Sequence, residues 1–269
     1  MTHAFDAAIA VEQVEEGRFR GRTHEDFYNL VGPFGGITAA TIVHALQSDP
    51  RTHGRPVAVT MNFTAPLADG EFDIVIDPVR TNNTNQHWTL RIEQNGQVPL
   101  IGTALFVVNR DSFSALEAQP PQAGAPEGYP LVTSAMLPPW SANYDLRIVA
   151  GAVPRGPAQA VEDSTATFWI GQKPARAWDY PALAAACDTF PPRVYQRLGK
   201  PVPAGTITLT IYFHADDSML RTQDNDILGT VGCTQFIDGF ADQEAQIWCS
   251  DRSLLATSTQ LCYFKAAPQ

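Results

Sequence analysis

VTMNFTAP, residues 59–66, and LTIYFHAD, residues 209–216, are the two stretches that decide the fold. When they are aligned, an alanine lies over an alanine and Phe63 lies over Phe213. Both stretches alternate or run apolar, which is typical of strands that are buried on at least one face. The match predicts that the chain contains an internal repeat, so the segments around each stretch should follow the same order.

The same order of elements does surround each stretch. In the first half, the glycine turn GPFGG leads into ITAATIVHALQ, whose small and apolar residues predict a helix enclosed by a sheet. In the second half, DYPALAAACDTFPP predicts a helix that Asp179 caps and that Pro191 and Pro192 end. Strand candidates follow both helices. The sequence therefore predicts an α+β fold of two repeats, whose antiparallel sheets join because neither small unit could bury its helix well alone.

A proline-rich segment separates the two repeats. Residues 111–140 contain six prolines and show neither a helical nor an alternating period, so we expect a linker there. An aperiodic stretch of this length is unusual inside one compact domain. The predicted division is an N-terminal repeat over residues 1–110 and a C-terminal repeat over residues 141–269.

Charge and composition exclude several classes of protein. The chain has 28 acidic and 18 basic residues, a formal net charge of -10, and no basic cluster that could follow a nucleic-acid backbone. It starts without the basic and apolar segments of a secretory signal, and no apolar run approaches the roughly 20 residues of a membrane span. We therefore expect a cytoplasmic protein that binds neither nucleic acid nor membrane.

Cysteine spacing and the common catalytic motifs give no sign of a metal or an organic cofactor. None of the four cysteines forms a C-x-x-C pair, so we expect buried free thiols in preference to metal ligands or disulfides. The sequence also has no G-x-S-x-G, H-E-x-x-H or P-loop motif, and no G-x-G-x-x-G after a strand. The cysteines are Cys187, Cys233, Cys249 and Cys262.

Four motifs together carry a resemblance to a known family. They are the F-G-G turn before the first helix, the ALAAACDTFPP end of the second helix, the strand TLTIYFH and the strand ATSTQ. In this order they resemble the acyl-CoA thioesterase II-like family of double hotdog proteins, over nearly the whole chain apart from the linker. The resemblance implies a double hotdog fold and hydrolysis of fatty acyl-CoA thioesters without a metal or organic cofactor.

The resemblance also implies site residues in the second repeat, where an Asp, a Thr and a Gln of the family position and activate water. The Gln falls on Gln260 and the Thr on Thr234. Thr208 occupies the expected place of the Asp, and a threonine cannot accept a proton near neutral pH. Asp188, at the end of the second helix, matches another acidic position of the family and is the candidate for a substitute base.

The turn Phe34-Gly35-Gly36 is a candidate for substrate binding. It precedes a helix, whose N-terminal N–H groups can polarise a thioester carbonyl and hold the oxyanion that forms on attack. Alternatively, the two glycines only permit a tight turn and close packing of the helix. Both interpretations can hold together.

A comparison of the closing strands places Gln260 inside the protein. LIGTALFVV, residues 100–108, aligns with LLATSTQLCYF, residues 254–264, with Phe106 over Gln260. The period of two in a strand puts Gln260 on one face with Ala256, Ser258 and Cys262. A buried amide needs hydrogen-bond partners. Gln260 therefore either holds the attacking water or the thioester oxygen, or bonds to neighbouring backbone.

Two functions from different classes remain open at this point. The first is hydrolysis of an acyl-CoA thioester by a positioned water, with Gln260, Thr234 and either Thr208 or Asp188 as the catalytic groups. The second is a catalytically silent protein that binds acyl-CoA or another acyl ligand, which the threonine at 208 favours. A hotdog hydratase is a third option, but its Asp-x-Asn-x-x-His pattern is absent. By analogy of fold, we expect a homodimer.

Overall fold

The computed structural model describes residues 2–133, 137–151, 160–222 and 225–266. Thirteen strands and five α-helices lie in these ranges. The helices are α1 (Ala4–Ile9), α2 (Gly35–Ser48), α3 (Tyr180–Ala186), α4 (Arg193–Leu198) and α5 (Asp217–Thr222). The strands are β1 (Glu12–Glu15), β2 (Arg18–Arg22), β3 (Arg55–Phe63), β4 (Glu71–Thr81), β5 (Asn85–Gln94), β6 (Gln97–Val107), β7 (Tyr144–Ala150), β8 (Ala166–Gln172), β9 (Ala204–Phe213), β10 (Asp226–Gly232), β11 (Phe236–Ile237), β12 (Phe240–Trp248) and β13 (Leu254–Phe264).

All the strands form one antiparallel sheet that runs through both halves of the chain. Its order is β1-β2-β4-β5-β6-β3-β9-β13-β12-β10-β8-β7, and β11 pairs with β12. Counted outward from the centre, β3-β6-β5-β4-β2-β1 on one side corresponds to β9-β13-β12-β10-β8-β7 on the other. The predicted repeat is therefore visible as a matching strand order, and the two sheets join where β3 pairs with β9.

The central pair of strands is symmetric about two threonines. Thr60 of β3 lies directly opposite Thr210 of β9, and their hydroxyl oxygens are 3.1 Å apart. On either side Val59 faces Ile211 and Met61 faces Leu209. A half-turn about the threonine pair therefore exchanges the two strands, as the alignment of VTMNFTAP with LTIYFHAD requires.

The alignment of β6 with β13 is corrected by the register of the sheet. Val59 of β3 lies opposite Ala104, and Leu209, its counterpart in β9, lies opposite Gln260. Gln260 therefore corresponds to Ala104, and the predicted correspondence with Phe106 is wrong by two residues. A shift of two keeps a side chain on the same face of a strand, so the inward direction expected for Gln260 is unaffected.

The two main helices lie against each other on the inner side of the sheet. Nearly every residue of α2 from Gly36 to Leu46 is buried. A Cβ added to Gly36 would lie 2.7 Å from the carbonyl oxygen of Ala185, so glycine permits the N-terminus of α2 to touch the end of α3. Asp179 caps α3 as predicted, because its carboxylate accepts a hydrogen bond from the Ala182 N–H at 2.8 Å. These contacts bring a helix start from the first repeat to a helix end from the second.

The predicted linker contains little regular structure in its described part. Residues 111–133 and 137–140 hold one short 3-10 turn, Pro126–Gly128, and the start of a second, Pro139–Asn143. Residues 134–136 of the predicted linker, and residues 152–159, 223–224 and 267–269 of the predicted second repeat, lie outside the described residues, as does residue 1 of the first. Among the helices of the described ranges, none has the length and the apolar composition of a membrane span.

Candidate active site

A hydrogen-bonded pair of Gln260 and Asp188 lies at the centre of the candidate site. Gln260 is buried on β13 and points inward with Ala256, Ser258 and Cys262, which confirms the predicted face. Its amide Nε2 donates to Asp188 Oδ1 at 2.7 Å. The two residues are far apart in sequence, and the fold brings them together because β13 passes under the end of α3.

Asp188 lies where the two repeats meet. It lies two residues after the end of α3, and its carboxylate accepts a hydrogen bond from the backbone N–H of Gly36 at the start of α2. A Cβ added to Gly35 would come within 2.7 Å of Asp188 Oδ2, so the carboxylate packs directly against the α2 backbone. The positive end of the α2 dipole and two N–H donors therefore surround one carboxylate.

Burial dominates the titration of Asp188. It raises the pKa of the carboxyl to about 7, although the hydrogen bonds from Gln260 and Gly36 act in the opposite direction. The residue as a whole is partly exposed to solvent. A carboxyl with a pKa near 7 is an effective general base at neutral pH, because about half of it is ionised and the ionised form binds a proton well.

Thr206 contributes a hydroxyl group that contacts Gln260 of this pair. Its Oγ1 donates to Gln260 Oε1 at 3.3 Å. The register between β13 and β9 shifts by one residue between Leu261, which pairs with Thr208, and Cys262, which pairs with Thr206. This β-bulge turns the side chain of Thr206 to the inner face of the sheet.

The neighbours of Gln260 define the direction of its amide. The oxygen Oε1 accepts from Thr206, from Gln243 Nε2 at 3.5 Å and from Cys262 Sγ at 3.5 Å. The nitrogen Nε2 donates to Asp188 and to the Cys187 carbonyl at 3.4 Å. The NH₂ group of the amide therefore faces the carboxylate.

Two buried donors without a partner lie beside the start of α2. Among the described residues, neither Trp140 Nε1 nor the Tyr144 hydroxyl has a hydrogen-bond partner. Trp140 stacks on Phe34 with ring centroids 4.3 Å apart, and Tyr144 packs edge-on against Trp140. Burial raises the pKa of Tyr144 well above its usual range, and the negative charge of Asp188 raises it further. Tyr144 therefore remains protonated and can donate a hydrogen bond. It lies close enough to Asp188 for the two groups to interact electrostatically.

Two of the predicted site residues are not brought to this cluster. Thr208 lies with the exposed Leu261 on the outer face of the sheet, and its Oγ1 accepts from the Leu261 N–H at 3.3 Å. Thr234 is exposed beyond β10, and its backbone N–H donates to the Asp242 carboxylate. The structure therefore does not bring the hydroxyl groups of Thr208 and Thr234 to the Asp188–Gln260 pair. Regular alternation along β9 would put Thr206 and Thr208 on the same face, and the bulge separates them.

The cysteines are unsuited to act as nucleophiles in this site. All four are free, as expected, and three are buried, whereas Cys233 is partly exposed. Burial raises the pKa of both Cys187 and Cys262 to about 12, so these thiols are protonated near neutral pH. Among the described residues, no group of three or more His, Cys, Asp or Glu side chains is arranged to bind a metal ion.

Comparisons with known proteins match both repeats. A family model described as the acyl-CoA thioesterase C-terminal domain matches residues 114–264, and the corresponding N-terminal domain model matches residues 23–107. No curated protein sequence matches the chain.

Several solved structures are similar over the full length. A conserved protein of unknown function with a hot dog fold, from Alicyclobacillus acidocaldarius, shares 43% identity over 100% of both chains, with a TM-score of 0.94. A tesB protein from Mycobacterium avium subspecies paratuberculosis shares 14% identity and covers 97% of this chain and 98% of its own, with a TM-score of 0.79. An acyl-CoA thioesterase II from Mycobacterium marinum shares 15% identity over 98% of both chains, with a TM-score of 0.73. The two mycobacterial structures show a shared fold.

Proposed function

Because this chain belongs to the acyl-CoA thioesterase family, we propose that it hydrolyses acyl-CoA thioesters to a free acid and coenzyme A. The observation that supports this most directly is the contact between Asp188 and Gln260 at the start of α2. It combines a carboxyl that titrates near neutral pH, a fixed amide donor and a helix N-terminus within one small site. These are the groups that attack by water on a carbonyl requires.

In the proposed reaction, Asp188 acts as the general base. Its ionised form takes a proton from a water molecule as the water oxygen attacks the thioester carbonyl carbon. The tetrahedral intermediate then expels the coenzyme A thiolate, and Asp188 returns its proton to the thiolate sulfur, so that the thiol leaves and the carboxylate is restored. One thioester and one water are consumed, and one acid and one thiol are formed. Gln260 and Thr206 hold the carboxylate and the water in position.

The developing oxyanion needs hydrogen-bond donors. We assign this role to the Gly35 N–H at the start of α2, next to Phe34, because the Gly36 N–H already donates to the Asp188 carboxylate. The unpartnered Tyr144 hydroxyl is a further donor on the same side of the site. Losing one donor of this kind typically lowers a rate by a factor of about 10² to 10³.

The silent binding protein is the weaker alternative. It rested on Thr208 as the replacement of a catalytic Asp, but Thr208 lies on the outer face of the sheet and Asp188 supplies a carboxylate at the site.

We also propose that the two repeats form a double hotdog, each with its own central helix, and that the protein acts as a homodimer.

The direct test is release of free thiol from a panel of acyl-CoA esters of short to long chain, with one aryl ester, at several protein concentrations. We expect release in proportion to the protein. Asp188→Asn should lower turnover by a factor of about 10² to 10⁴, as is usual when a positioned general base is lost. If the wild-type protein releases no thiol from any ester, although it binds them in a calorimeter, the binding protein replaces the enzyme.

A further inference from the structure

We propose that Gln243 is a positioning residue that fixes the direction of the Gln260 amide. This inference rests on the proposed function, because it assigns Gln243 a part in the same site. Gln243 lies on β12 directly opposite Gln260 on β13 and is only 4% exposed. Among the described residues, its side chain has hydrogen bonds to the Arg193 N–H and to Gln260 but none to Asp188 or Gly36, so it acts on the carboxylate through Gln260.

A backbone group determines which end of the Gln243 amide is the oxygen. The Arg193 N–H at the start of α4 donates to Gln243 Oε1 at 3.3 Å. Because a backbone N–H can only donate, the atom that it meets must be the amide oxygen. The nitrogen Nε2 of Gln243 is then directed at Gln260 Oε1, 3.5 Å away.

The orientation of the Gln243 amide in turn fixes the orientation of the Gln260 amide that contacts Asp188. With its oxygen held by Gln243, Gln260 presents its NH₂ group to Asp188 Oδ1 at 2.7 Å. The reversed amide would place an oxygen against the carboxylate, and two acceptors repel each other. Thr206 and Cys262 also contact Gln260 Oε1, but a hydroxyl or a thiol can rotate to accept as well as donate. Gln243 and the Cys187 carbonyl are the neighbours whose polarity is fixed.

The first repeat shows that this glutamine is not required by the fold. The polar side chains of the network have counterparts without an amide or a hydroxyl in the first repeat: Ala104 for Gln260, Trp88 for Gln243 and Pro56 for Thr206. Trp88 is fully buried, so an aromatic ring fills the equivalent position in the same sheet. A buried glutamine therefore occurs at this position only in the repeat that holds the Asp188 carboxylate.

Gln243→Met tests the inference, because methionine keeps the length of the side chain and removes both hydrogen bonds. If the hydrogen bond from Gln260 to Asp188 is weakened, or lost because the amide reverses, the pKa of Asp188 should rise, since this hydrogen bond lowers it. We expect the acid limb of the kcat profile to move upward by about half a pH unit or more, with kcat about fivefold lower and KM nearly unchanged.

A second measurement does not depend on turnover. A carbon-13 NMR titration of labelled aspartate, with the Asp188 signal assigned from Asp188→Asn, should show the same upward shift in Gln243→Met. The control is Gln94→Met, which removes another buried glutamine that bonds to the backbone of Ala68 and Glu71 in the first repeat. We expect it to lower stability and leave both titrations unchanged.

The two proposals fail in different ways. An unshifted Asp188 titration in a folded Gln243→Met protein overturns the positioning role, whatever the activity. If Gln243→Met does not fold, Gln243→Leu takes its place in the same titration. A wild-type protein without turnover, but with an Asp188 signal that shifts in Gln243→Met, overturns the hydrolysis and leaves the positioning intact.

Discussion

At Asp188, burial in the fold and the proposed catalysis favour different protonation states of the carboxyl. Burial disfavours the ionised carboxylate and raises its pKa to about 7, yet the ionised form is the one that accepts a proton from water. Gln260 and Gly36 donate to the carboxylate and offset part of that cost. A stronger set of donors would lower the pKa and weaken the base, so the partial compensation gives a group that is active near neutral pH.

The first prediction is a pH dependence of turnover that follows this carboxyl. Since the ionised form is the base, kcat should rise about tenfold per pH unit below about pH 7 and level off above it. The ultraviolet absorbance of the thioester allows the rate to be followed across the acid range. The residual rate of Asp188→Asn should lack this limb. A wild-type profile that is flat from pH 5 to pH 8 would remove Asp188 from the role of base.

The second prediction concerns stability. Because the folded pKa of Asp188 is raised to about 7 from the ordinary value of 3.8, the folded state retains a proton that the unfolded state has released between these pH values. The stabilisation is present below about pH 4 and is lost as the pH rises toward 7. Asp188→Asn removes this loss and should be more stable than the wild type at pH 8 by about 1–3 kcal/mol.

Urea unfolding of both proteins at pH 4 and pH 8 measures this difference. The free energies of unfolding should be similar at pH 4, where the wild-type carboxyl is also neutral, and should diverge at pH 8. Equal stability at pH 8 would mean that the folded protein does not disfavour the ionised carboxylate.

Among the elements, β9 shows where sequence patterns stop being informative. Alternation predicts that Thr206, Thr208 and Thr210 share one face, and it correctly separates them from the buried Leu209 and Ile211. The β-bulge opposite Cys262 then turns Thr206 inward. A bulge depends on the pairing of β9 with β13, which are distant in sequence, so no local pattern in β9 contains it. The inward direction of Gln260 was predictable because side chains alternate along a regular strand, whereas Asp188 was a candidate only through the family resemblance.

The third prediction uses this pair of threonines as a matched comparison. Thr206→Val removes the hydroxyl that donates to Gln260, whereas Thr208→Val makes the same change two residues away on the outer face. We expect Thr206→Val to lower kcat about tenfold or more, because the amide that holds Asp188 loses a partner. Thr208→Val should keep wild-type turnover in the thioester assay. The opposite ranking would show that the outer threonine, as first expected from the sequence, belongs to the site.

For the whole molecule, the repeat explains why one chain has one candidate site. The matching strand order was predictable from two aligned strands and two small-residue helices, because each repeat carries its own hydrophobic pattern. The difference between the two repeats at the candidate site was only partly predictable. The alignment correctly gave Gln260 an apolar counterpart, but it selected Phe106 in place of Ala104, since the register of β6 is set by β3 and not by its own residues. The site itself needs both repeats, because the first supplies the start of α2 and the second supplies the carboxylate.

The last prediction tests this joint construction with a substitution in the repeat that lacks a carboxylate. In Gly35→Ala the new Cβ would lie 2.7 Å from Asp188 Oδ2, so the carboxylate has to move away from the α2 N-terminus. Alanine is favourable in a helix, and we expect the free energy of unfolding to change by less than about 1 kcal/mol. Turnover should nevertheless fall about tenfold or more, because the base and the oxyanion donors lose their relative position. Gly128→Ala, where a Cβ meets no atom within 4 Å, is the control and should behave like the wild type. Full activity in a folded Gly35→Ala protein would show that the second repeat carries the reaction without the helix start of the first.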